Sequence, residues 1–306
     1  MHQPVLVDEV VDLLPAVPGG TYVDGTVGSG GHAEALLRQM KGKGRLLAID
    51  RDADALARAQ RRLAPWDDQL VFVHGNHSDI GDIARSQGIH AADGILLDLG
   101  VSSEQLDTPE RGFSVIRDGK LDMRMNRANG RTAADLVNEL PREALRSLIR
   151  DFGEERAAGR VARALTTERA VEPILTTGRL AAVVARAVGG RRRLHPATRV
   201  FQALRIAVNE ELESLSAALT SGLDLLAPGG RIAVISFHSL EDRIVKNTFR
   251  CHAGRFESLP AGGQAWRGEE PAVRLVNAKP VTPSEAERTR NPRSRSAKLR
   301  VAERRD

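Results

Sequence analysis

Cysteine and aromatic residues are scarce in this chain of 306 residues, and their scarcity excludes several kinds of site. Cys251 is the single cysteine, so the chain can form neither an internal disulfide nor a multi-cysteine zinc or iron–sulfur site. Aromatic residues make up 3% of the sequence, which argues against an RNA-binding platform rich in phenylalanine and tyrosine. Alanine, leucine, valine and isoleucine must therefore supply most of the core.

Long apolar runs and a secretory signal are also missing, so we expect a cytoplasmic protein with no membrane partner. The composition, 41% hydrophobic and 28% charged, is that of a folded globular protein. The net charge of +5 permits a polyanionic partner without requiring one. Basic residues cluster at Arg191, Arg192 and Arg193 and again over residues 288–305. The sequence leaves the oligomeric state open.

The first hundred residues alternate predicted strands and helices. The predicted strands lie at 21–24, 45–50, 70–74 and 93–99, and the predicted helices at 32–40 and 52–63. The fourth strand is a nearly continuous apolar run, which is typical of a strand buried on both faces. This order predicts an α/β fold with a parallel sheet and right-handed crossovers.

The alternation stops after residue 105, and the pattern over 107–195 is helical throughout. Helices are predicted at 132–139, 142–152, 154–166 and 177–188. We therefore predict three segments. Residues 1–106 form the first part of the α/β core, 107–195 an all-helical insertion that recognises the substrate, and 196–306 the second part of the core with a basic C-terminal segment.

The α/β pattern returns in the last third of the chain. Apolar residues at helical spacing from Phe201 to Leu219 predict one long amphipathic helix. A fifth strand is predicted at 231–237, and short strands at 272–277 and 297–302 would close the sheet as a hairpin. Ser236 or Ser239 is expected to cap a helix that begins after the fifth strand.

A glycine-rich turn follows the first strand at residues 24–32 (DGTVGSGGH). Glycines allow the backbone to approach a ligand closely, and N–H groups at the following helix start can face polar ligand atoms. Asp50 ends the second strand, where a carboxylate can accept hydrogen bonds from both ribose hydroxyls of a nucleoside cofactor. Together these features predict a nucleoside-cofactor site.

The turn alone does not decide between NAD and S-adenosylmethionine. Residues 28–33 match the G-x-G-x-x-G/A pattern of dinucleotide-binding proteins, which keeps a nicotinamide-dependent oxidoreductase open. Asp24 precedes the turn and Asp98 ends the fourth strand at the same edge of the sheet. Two carboxylates favour a sulfonium and an ammonium group over a diphosphate.

Metal and hydrolase chemistry find little support in the sequence. His74 and His77 have no evident third ligand, and no H-E-x-x-H pattern occurs, so no metal site is predicted. His238 lies among Ser236, Ser239 and acidic residues, but the chain lacks the G-x-S-x-G nucleophile elbow.

Eight blocks of sequence resemble, in order, those of the bacterial RsmH family, also called MraW. They are residues 2–6 (HQPVL), the turn at 24–32, 96–103 (LLDLGVSS), 105–107 (QLD), 110–114 (ERGFS), 121–125 (LDMRM), 195–199 (HPATR) and 236–243 (SFHSLEDR). The resemblance covers nearly the whole chain. It implies a class I, Rossmann-like, S-adenosylmethionine-dependent methyltransferase with an inserted helical domain.

The family methylates the N4 amino group of a decoding-centre cytidine in 16S rRNA, and the resemblance implies the assembled small subunit as the partner. By resemblance, the cofactor contacts are Gly30, Gly31, His32, Asp50, Asp98 and Gln105. His77 stands where the family usually has phenylalanine, so its imidazole would lie against adenine. Thr26 stands where methyltransferases generally have the first glycine of the turn.

The implied reaction needs hydrogen-bond acceptors for the cytosine amine. Its lone pair is delocalised into the ring, so the N–H groups must be held while the nitrogen becomes tetrahedral. Asp98 is the predicted catalytic residue. Phe113, Arg191, His195, Arg199, Ser236 and His238 are the predicted RNA contacts. A ribosome-assembly factor with a vestigial cofactor fold is the other alternative.

Overall fold

The computed structural model describes residues 4–189, 195–258, 264–267 and 270–305. The chain forms two compact units, Met1–Gly100 with Leu212–Asp306, and Val101–Glu211. The helical unit therefore extends beyond both of the boundaries, 107 and 195, that the sequence predicts.

The first unit is built on a sheet that has seven strands within the described residues. Strands β1 to β5 lie at Thr21–Asp24, Arg45–Asp50, Leu70–His74, Ala92–Asp98 and Leu226–Ser236. Strands β6 (Arg255–Ser258) and β7 (Gln264–Arg267) form a separate antiparallel pair. Strands β8 (Val273–Leu275) and β9 (Lys298–Arg304) complete the main sheet. All five strands predicted before residue 240 and the closing hairpin are thereby confirmed.

The strand order is β3-β2-β1-β4-β5-β9-β8. The first five strands are parallel, whereas β9 runs antiparallel to β5 and β8 antiparallel to β9. The fold is therefore α/β with a mixed, mostly parallel sheet. The chain progresses outward from β1 through β2 to β3, then returns to pair β4 with β1 on its other side. In such sheets, ligands bind at the carboxyl ends of the strands where the order reverses.

Helices flank this sheet and fill the second unit. In chain order, α1 to α7 are Val7–Leu13, Gly31–Met40, Ala53–Leu63, Ile80–Ser86, Ser103–Asp107, Ala133–Glu139 and Arg142–Asp151, and α8 to α13 are Ala158–Val171, Thr177–Val188, Thr198–Asn209, Glu211–Leu225, Ser239–His252 and Glu285–Arg290. None of the helices within the described residues combines the length and the apolar character that crossing a bilayer requires.

The sheet separates two apolar layers. Alternate residues of β2 face opposite sides, so Leu46 and Ala48 pack in one layer and Leu47 and Ile49 in the other. Leu36 of α2 and Leu63 of α3 belong to the first layer. Both faces of the central strands are buried, which explains why their sequences read as continuous apolar runs.

The second unit has its own apolar core. Phe113, Met123, Val161 and Leu180 are among its buried members. Phe201 and Leu204 of α10 pack in the same core. This packing explains why the helical unit continues past residue 195, where the sequence pattern alone suggests that the α/β core resumes.

The single long helix predicted from Phe201 to Leu219 is wrong. The structure has two helices, α10 and α11, because Glu210 adopts the left-handed conformation with φ 49° and ψ 43°. The side-chain amide of Asn209 donates to the carbonyl oxygens of Met123 (2.8 Å) and Arg205 (2.9 Å), and Met125 N–H donates to its oxygen. These bonds end α10 at Asn209, and apolar spacing alone cannot reveal them.

Candidate active site

The glycine-rich turn after β1 is hydrogen-bonded to the ends of two neighbouring strands. Gly25 N–H donates to the Leu96 carbonyl and Val27 N–H to the Ile49 carbonyl, both over 2.9 Å. The Thr26 hydroxyl oxygen accepts a hydrogen bond from Asp98 N–H over 2.6 Å. Thr26, which departs from the general methyltransferase turn, therefore links the turn to the end of β4. The sequence alone did not indicate this role.

Two glycines in the turn are required by the backbone. Gly30 is the N-cap of α2 with φ 83°, a conformation that side chains disfavour. A Cβ at Gly31 would lie 3.0 Å from the Pro4 ring, so the segment before α1 approaches the helix start closely. A side chain at either position would therefore strain the turn.

Asp50, at the end of β2, is hydrogen-bonded to this turn. Its Oδ2 accepts a hydrogen bond from Gly28 N–H and its Oδ1 from Asp52 N–H, each over 2.8 Å. Burial raises the pKa of this carboxyl above its ordinary value. Each oxygen retains a second lone pair, so the carboxylate can still accept hydrogen bonds from ribose hydroxyls.

Asp24 and Asp98 end the adjacent strands β1 and β4, at the point where the strand order reverses. The Asp24 residue is 1% exposed, and burial raises its pKa to about 7. The side chain of Asp98 is 25% exposed, and burial together with the charge of Glu241 raises its pKa to about 7. Both carboxyl groups are held in an environment that disfavours their charge, so a cation beside them would be stabilised.

His32 lies between Asp98 and the N-terminal segment. Its Nε2 is 2.8 Å from the Val5 carbonyl oxygen, which can only accept, so Nε2 carries the hydrogen. Burial lowers the pKa of His32, so the ring is neutral and its Nδ1 is an acceptor. Nδ1 lies 3.4 Å from Asp98 Oδ2. A proton on Asp98 would therefore be shared with His32 Nδ1.

Two buried polar atoms at this edge have no hydrogen-bond partner among the described residues. They are Oδ1 of Asp98 and Nε2 of His77. His77 is 7% exposed, and burial, followed by the charge of Arg51, lowers its pKa to about 3. A buried polar atom without a partner is costly, so both atoms indicate a place where a ligand can complete the hydrogen bonding.

The loop after β5 gives a different cap from the one predicted. Neither Ser236 nor Ser239 caps α12. His238 is the N-cap and accepts from Glu241 N–H, while the Glu241 carboxylate accepts from the N–H groups of Phe237 (2.8 Å) and His238 (3.2 Å). Ser236 is 2% exposed, and its hydroxyl lies 3.5 Å from the Lys298 carbonyl oxygen of β9. The H-S-L-E sequence resembles a capping box, with histidine in the place of serine or threonine.

The other predicted site residues belong to the helical unit or lie outside the described residues. Gln105 is buried and forms a capping box with Ser102. Phe113 is 5% exposed within the helical core, with the Arg111 guanidinium 5.9 Å from its ring centre. His195 and Arg199 are exposed, and Arg199 donates to the Glu154 carbonyl over 3.0 Å. Arg191 lies outside the described residues.

The sequence of this chain is similar to that of a known protein family over nearly its whole length. The family model described as the MraW methylase family matches residues 1–305. The chain belongs to this family. It is 49% identical over 304 residues to a protein of Thermomicrobium roseum named "Ribosomal RNA small subunit methyltransferase H", covering 99% of this chain and 93% of that protein. A protein of Pelobacter propionicus with the same name is 50% identical over 309 residues, covering 99% and 98% respectively.

Membership of the MraW methylase family makes this chain a methyltransferase. A solved structure titled as a putative rRNA-methylase from Clostridium thermocellum has 12% identity, a TM-score of 0.46 and 99% coverage of each chain, a similarity from which we draw no conclusion. The family resemblance stated from the sequence motifs is therefore confirmed by the family model and by the relatives.

Proposed function

We propose that this methyltransferase uses S-adenosylmethionine to methylate the N4 amine of a decoding-centre cytidine in 16S rRNA, within the assembled small ribosomal subunit in the cytoplasm. The observation that carries the proposal is the pair of carboxyl groups, Asp24 and Asp98, that end adjacent strands where the strand order reverses and whose pKa values are raised. The relatives' names support rRNA of the small subunit as the substrate. The sequence motifs quoted above support the cytidine amine.

The residues present fit a sulfonium nucleoside. Asp98 Oδ1 is buried without a partner among the described residues, and the Asp50 carboxylate retains two lone pairs for ribose hydroxyls. Bound there, S-adenosylmethionine supplies an electrophilic methyl group. The carboxylates of Asp24 and Asp98 would stabilise its positive charges, the Gly30–Gly31 backbone would accommodate its close approach, and the buried His77 ring would lie against adenine.

NAD is the less favourable ligand for the same edge. Its diphosphate would add negative charge beside Asp24 and Asp98, whose pKa values already show that the environment disfavours ionisation. A dinucleotide site instead offers the phosphates backbone N–H groups without an adjacent carboxylate. The charge arrangement therefore supports a cationic cofactor.

Asp98 would accept an N–H of the cytosine amine, and the backbone carbonyls of Leu99 and Gly100 would offer further acceptors. These bonds would hold the nitrogen lone pair toward the methyl group as the nitrogen becomes tetrahedral. The N-protonated product is acidic and releases its proton to water. Phe237 is partly exposed, and a Cβ at Gly100 would lie 3.4 Å from its ring, so Phe237 is better placed than the buried Phe113 for holding the base.

The remaining predicted contacts stay predictions from the family motifs. For the cofactor they are His32 and Gln105. For RNA they are Phe113, Arg191, His195, Ser236 and His238. The burial of Phe113 and Ser236 does not favour direct contact with RNA.

The test is methyl transfer to purified small subunits from a strain that lacks the endogenous enzyme, followed by nucleoside analysis. We expect N4-methylcytidine with the wild-type protein. Asp98→Asn should lower the rate by about 100-fold or more, because the isosteric amide cannot act as a two-oxygen acceptor. Asp82→Asn, at an exposed position of α4, is the matched control and should leave the rate unchanged. Absence of N4-methylcytidine in the wild-type reaction would reject the proposed activity, and full activity of Asp98→Asn would reject the role of Asp98.

A further inference from the structure

Three exposed arginines lie at the start of helix α8 in the second unit. Arg156 lies in the turn immediately before the helix, and Arg160 and Arg163 lie in its first two turns. Arg160 and Arg163, three residues apart within the helix, lie on one side of it, and Arg156 lies two residues before its first residue. From 156 to 167 the sequence has no acidic residue, and the nearest preceding ones are Glu154 and Glu155.

These arginines lack the carboxylate partners that several other exposed arginines of the unit have. Within the part of the chain that the structure describes, none of the three side chains forms a hydrogen bond or an ion pair. By contrast, Arg131, Arg150 and Arg186 are ion-paired with carboxylates. The partners are Glu139 (2.7 Å), Asp151 (2.7 Å) and Glu168 (3.1 Å), respectively. The charge at the start of α8 is therefore left for solvent or for an external anion.

A fourth arginine lies against the same segment. Arg199, at the start of α10, donates through Nη1 to the carbonyl oxygen of Glu154, two residues before Arg156. Arg199 is exposed. We call Arg156, Arg160, Arg163 and Arg199 the basic face.

This arrangement is unfavourable for the helix alone. Like charges three and four residues apart repel each other, and positive charge near a helix N-terminus opposes the helix dipole. Helix α8 has no acidic residue in its first turn, and its N-cap Ala157 provides no side-chain cap, while the Glu155 carboxylate just before it accepts from the Ala157 N–H over 2.8 Å. Each of these features would be relieved by negative charge bound from outside.

We propose that the basic face binds the phosphate backbone of the substrate RNA. The proposal rests on the proposed function and adds to it the surface that holds the RNA. Arginine guanidinium groups match phosphate in charge and geometry, and arginines one helical turn apart can each contact a separate phosphate. Contacts of this kind supply affinity and orientation without reading sequence, which suits a domain that positions one target base.

The experiment compares two triple variants that lose the same charge. R156Q/R160Q/R163Q removes the unpaired arginines, and R131Q/R150Q/R186Q removes three ion-paired ones. Methyl transfer to small subunits is measured over a series of salt concentrations, and subunit binding is measured separately by co-sedimentation. Calorimetry with S-adenosylmethionine and circular dichroism verify the cofactor site and the fold.

For the first variant, KM for subunits and the dissociation constant should rise about tenfold or more with kcat retained. The dependence of log affinity on log salt should become shallower by about 2, since up to three phosphate contacts are lost. The second variant should change either constant less than about twofold. R160Q alone should show a smaller shift of the same kind and serves if the triple variant folds poorly.

Equal effects in both variants would overturn the proposal, because net charge alone would explain them. Unchanged subunit affinity in the first variant would also overturn it. Co-sedimentation measures subunit binding without methyl transfer, so the test of the docking surface does not depend on the proposed reaction. If the wild-type protein binds subunits through the basic face but forms no N4-methylcytidine, the proposed reaction fails while the docking surface stands.

Discussion

At the carboxyl edge of the sheet, individual polar side-chain atoms differ in whether they have a hydrogen-bond partner. Asp98 Oδ1 and His77 Nε2 are buried without partners among the described residues, whereas Asp50 and His32 have theirs. A folded protein leaves few buried polar atoms unsatisfied. The two atoms without partners are therefore the structural basis for proposing a ligand site beside the glycine-rich turn.

His77→Phe should stabilise the protein. The substitution removes a buried nitrogen that lacks a partner and installs the residue that the family usually has, so we expect a gain of about 1 kcal/mol in the free energy of unfolding near neutral pH. The folded-state pKa of His77 is about 3, below the ordinary value of 6.5. The unfolded state therefore binds the proton more tightly, and wild-type stability from this group is lost as pH falls from about 6.5 toward 3.

The gain from His77→Phe should accordingly be larger at pH 5 than at pH 8, as measured by urea unfolding at both values. His90→Phe, at an exposed position, is the control and should show no such pH-dependent gain. A stability gain that is equal at the two pH values would contradict the assignment of His77 as a neutral buried group.

At this scale the sequence identified residues but not their contacts. Asp24, Asp50 and Asp98 were found because each ends a predicted strand. The Val5 carbonyl oxygen fixes the tautomer of His32, and the sequence could not predict this. A backbone oxygen 27 residues away in the chain is present whatever the side chain at that position, so no sequence pattern marks it. The same holds for the hydrogen bond from Asp98 N–H to Thr26.

At the scale of elements, the start of α12 offers a direct test of the capping assignment. His238→Ala should lower the free energy of unfolding by about 1 kcal/mol, because the N–H of Glu241 loses its acceptor. His238→Asn should retain most of the stability, since asparagine is a favourable N-cap. Both are measured by urea unfolding.

Ser239→Ala is the matched control, because Ser239 is the first residue of α12 rather than its cap. If Ser239→Ala lowered the free energy of unfolding as much as His238→Ala, Ser239 rather than His238 would be the cap. Equal losses for His238→Ala and His238→Asn would show that the ring contributes by packing instead.

Elements with a strong local pattern were predicted well, and those ended by tertiary contacts were not. The parallel strands have continuous apolar runs, and β2 and β3 match their predicted bounds. The division between α10 and α11 was missed because the amphipathic spacing continues across it. Helix α8 begins at Ala158 rather than residue 154, since Glu154 has φ 48° and the Glu155 side chain turns back to accept from Ala157 N–H.

For the whole molecule, charge is distributed unevenly. The net charge of +5 is the sum of two different regions. The α/β unit has an acidic edge, formed by Asp24 and Asp98 at the carboxyl ends of β1 and β4, and the helical unit has unpaired exposed arginines. Composition alone permitted a polyanionic partner but could not locate its surface. The proposed surface could be placed only from the ion-pair geometry, which shows which exposed arginines already have carboxylate partners.

The acidic edge makes cofactor binding depend on pH. Asp24 and Asp98 have folded pKa values of about 7, so both are largely protonated at pH 6 and ionised at pH 8. A bound cation favours the ionised forms, so binding should release protons and the affinity should rise from pH 6 to pH 8. In Asp24→Asn this rise should shrink, because the amide has no proton to release.

Calorimetric titration with S-adenosylmethionine and with NAD, at pH 6 and pH 8 in buffers of different ionisation enthalpy, tests the central claim most directly. We predict binding of S-adenosylmethionine that strengthens at pH 8 with net proton release, reduced release in Asp24→Asn, and no measurable binding of NAD. Tighter binding of NAD than of S-adenosylmethionine, or an S-adenosylmethionine affinity that falls as pH rises, would contradict the account.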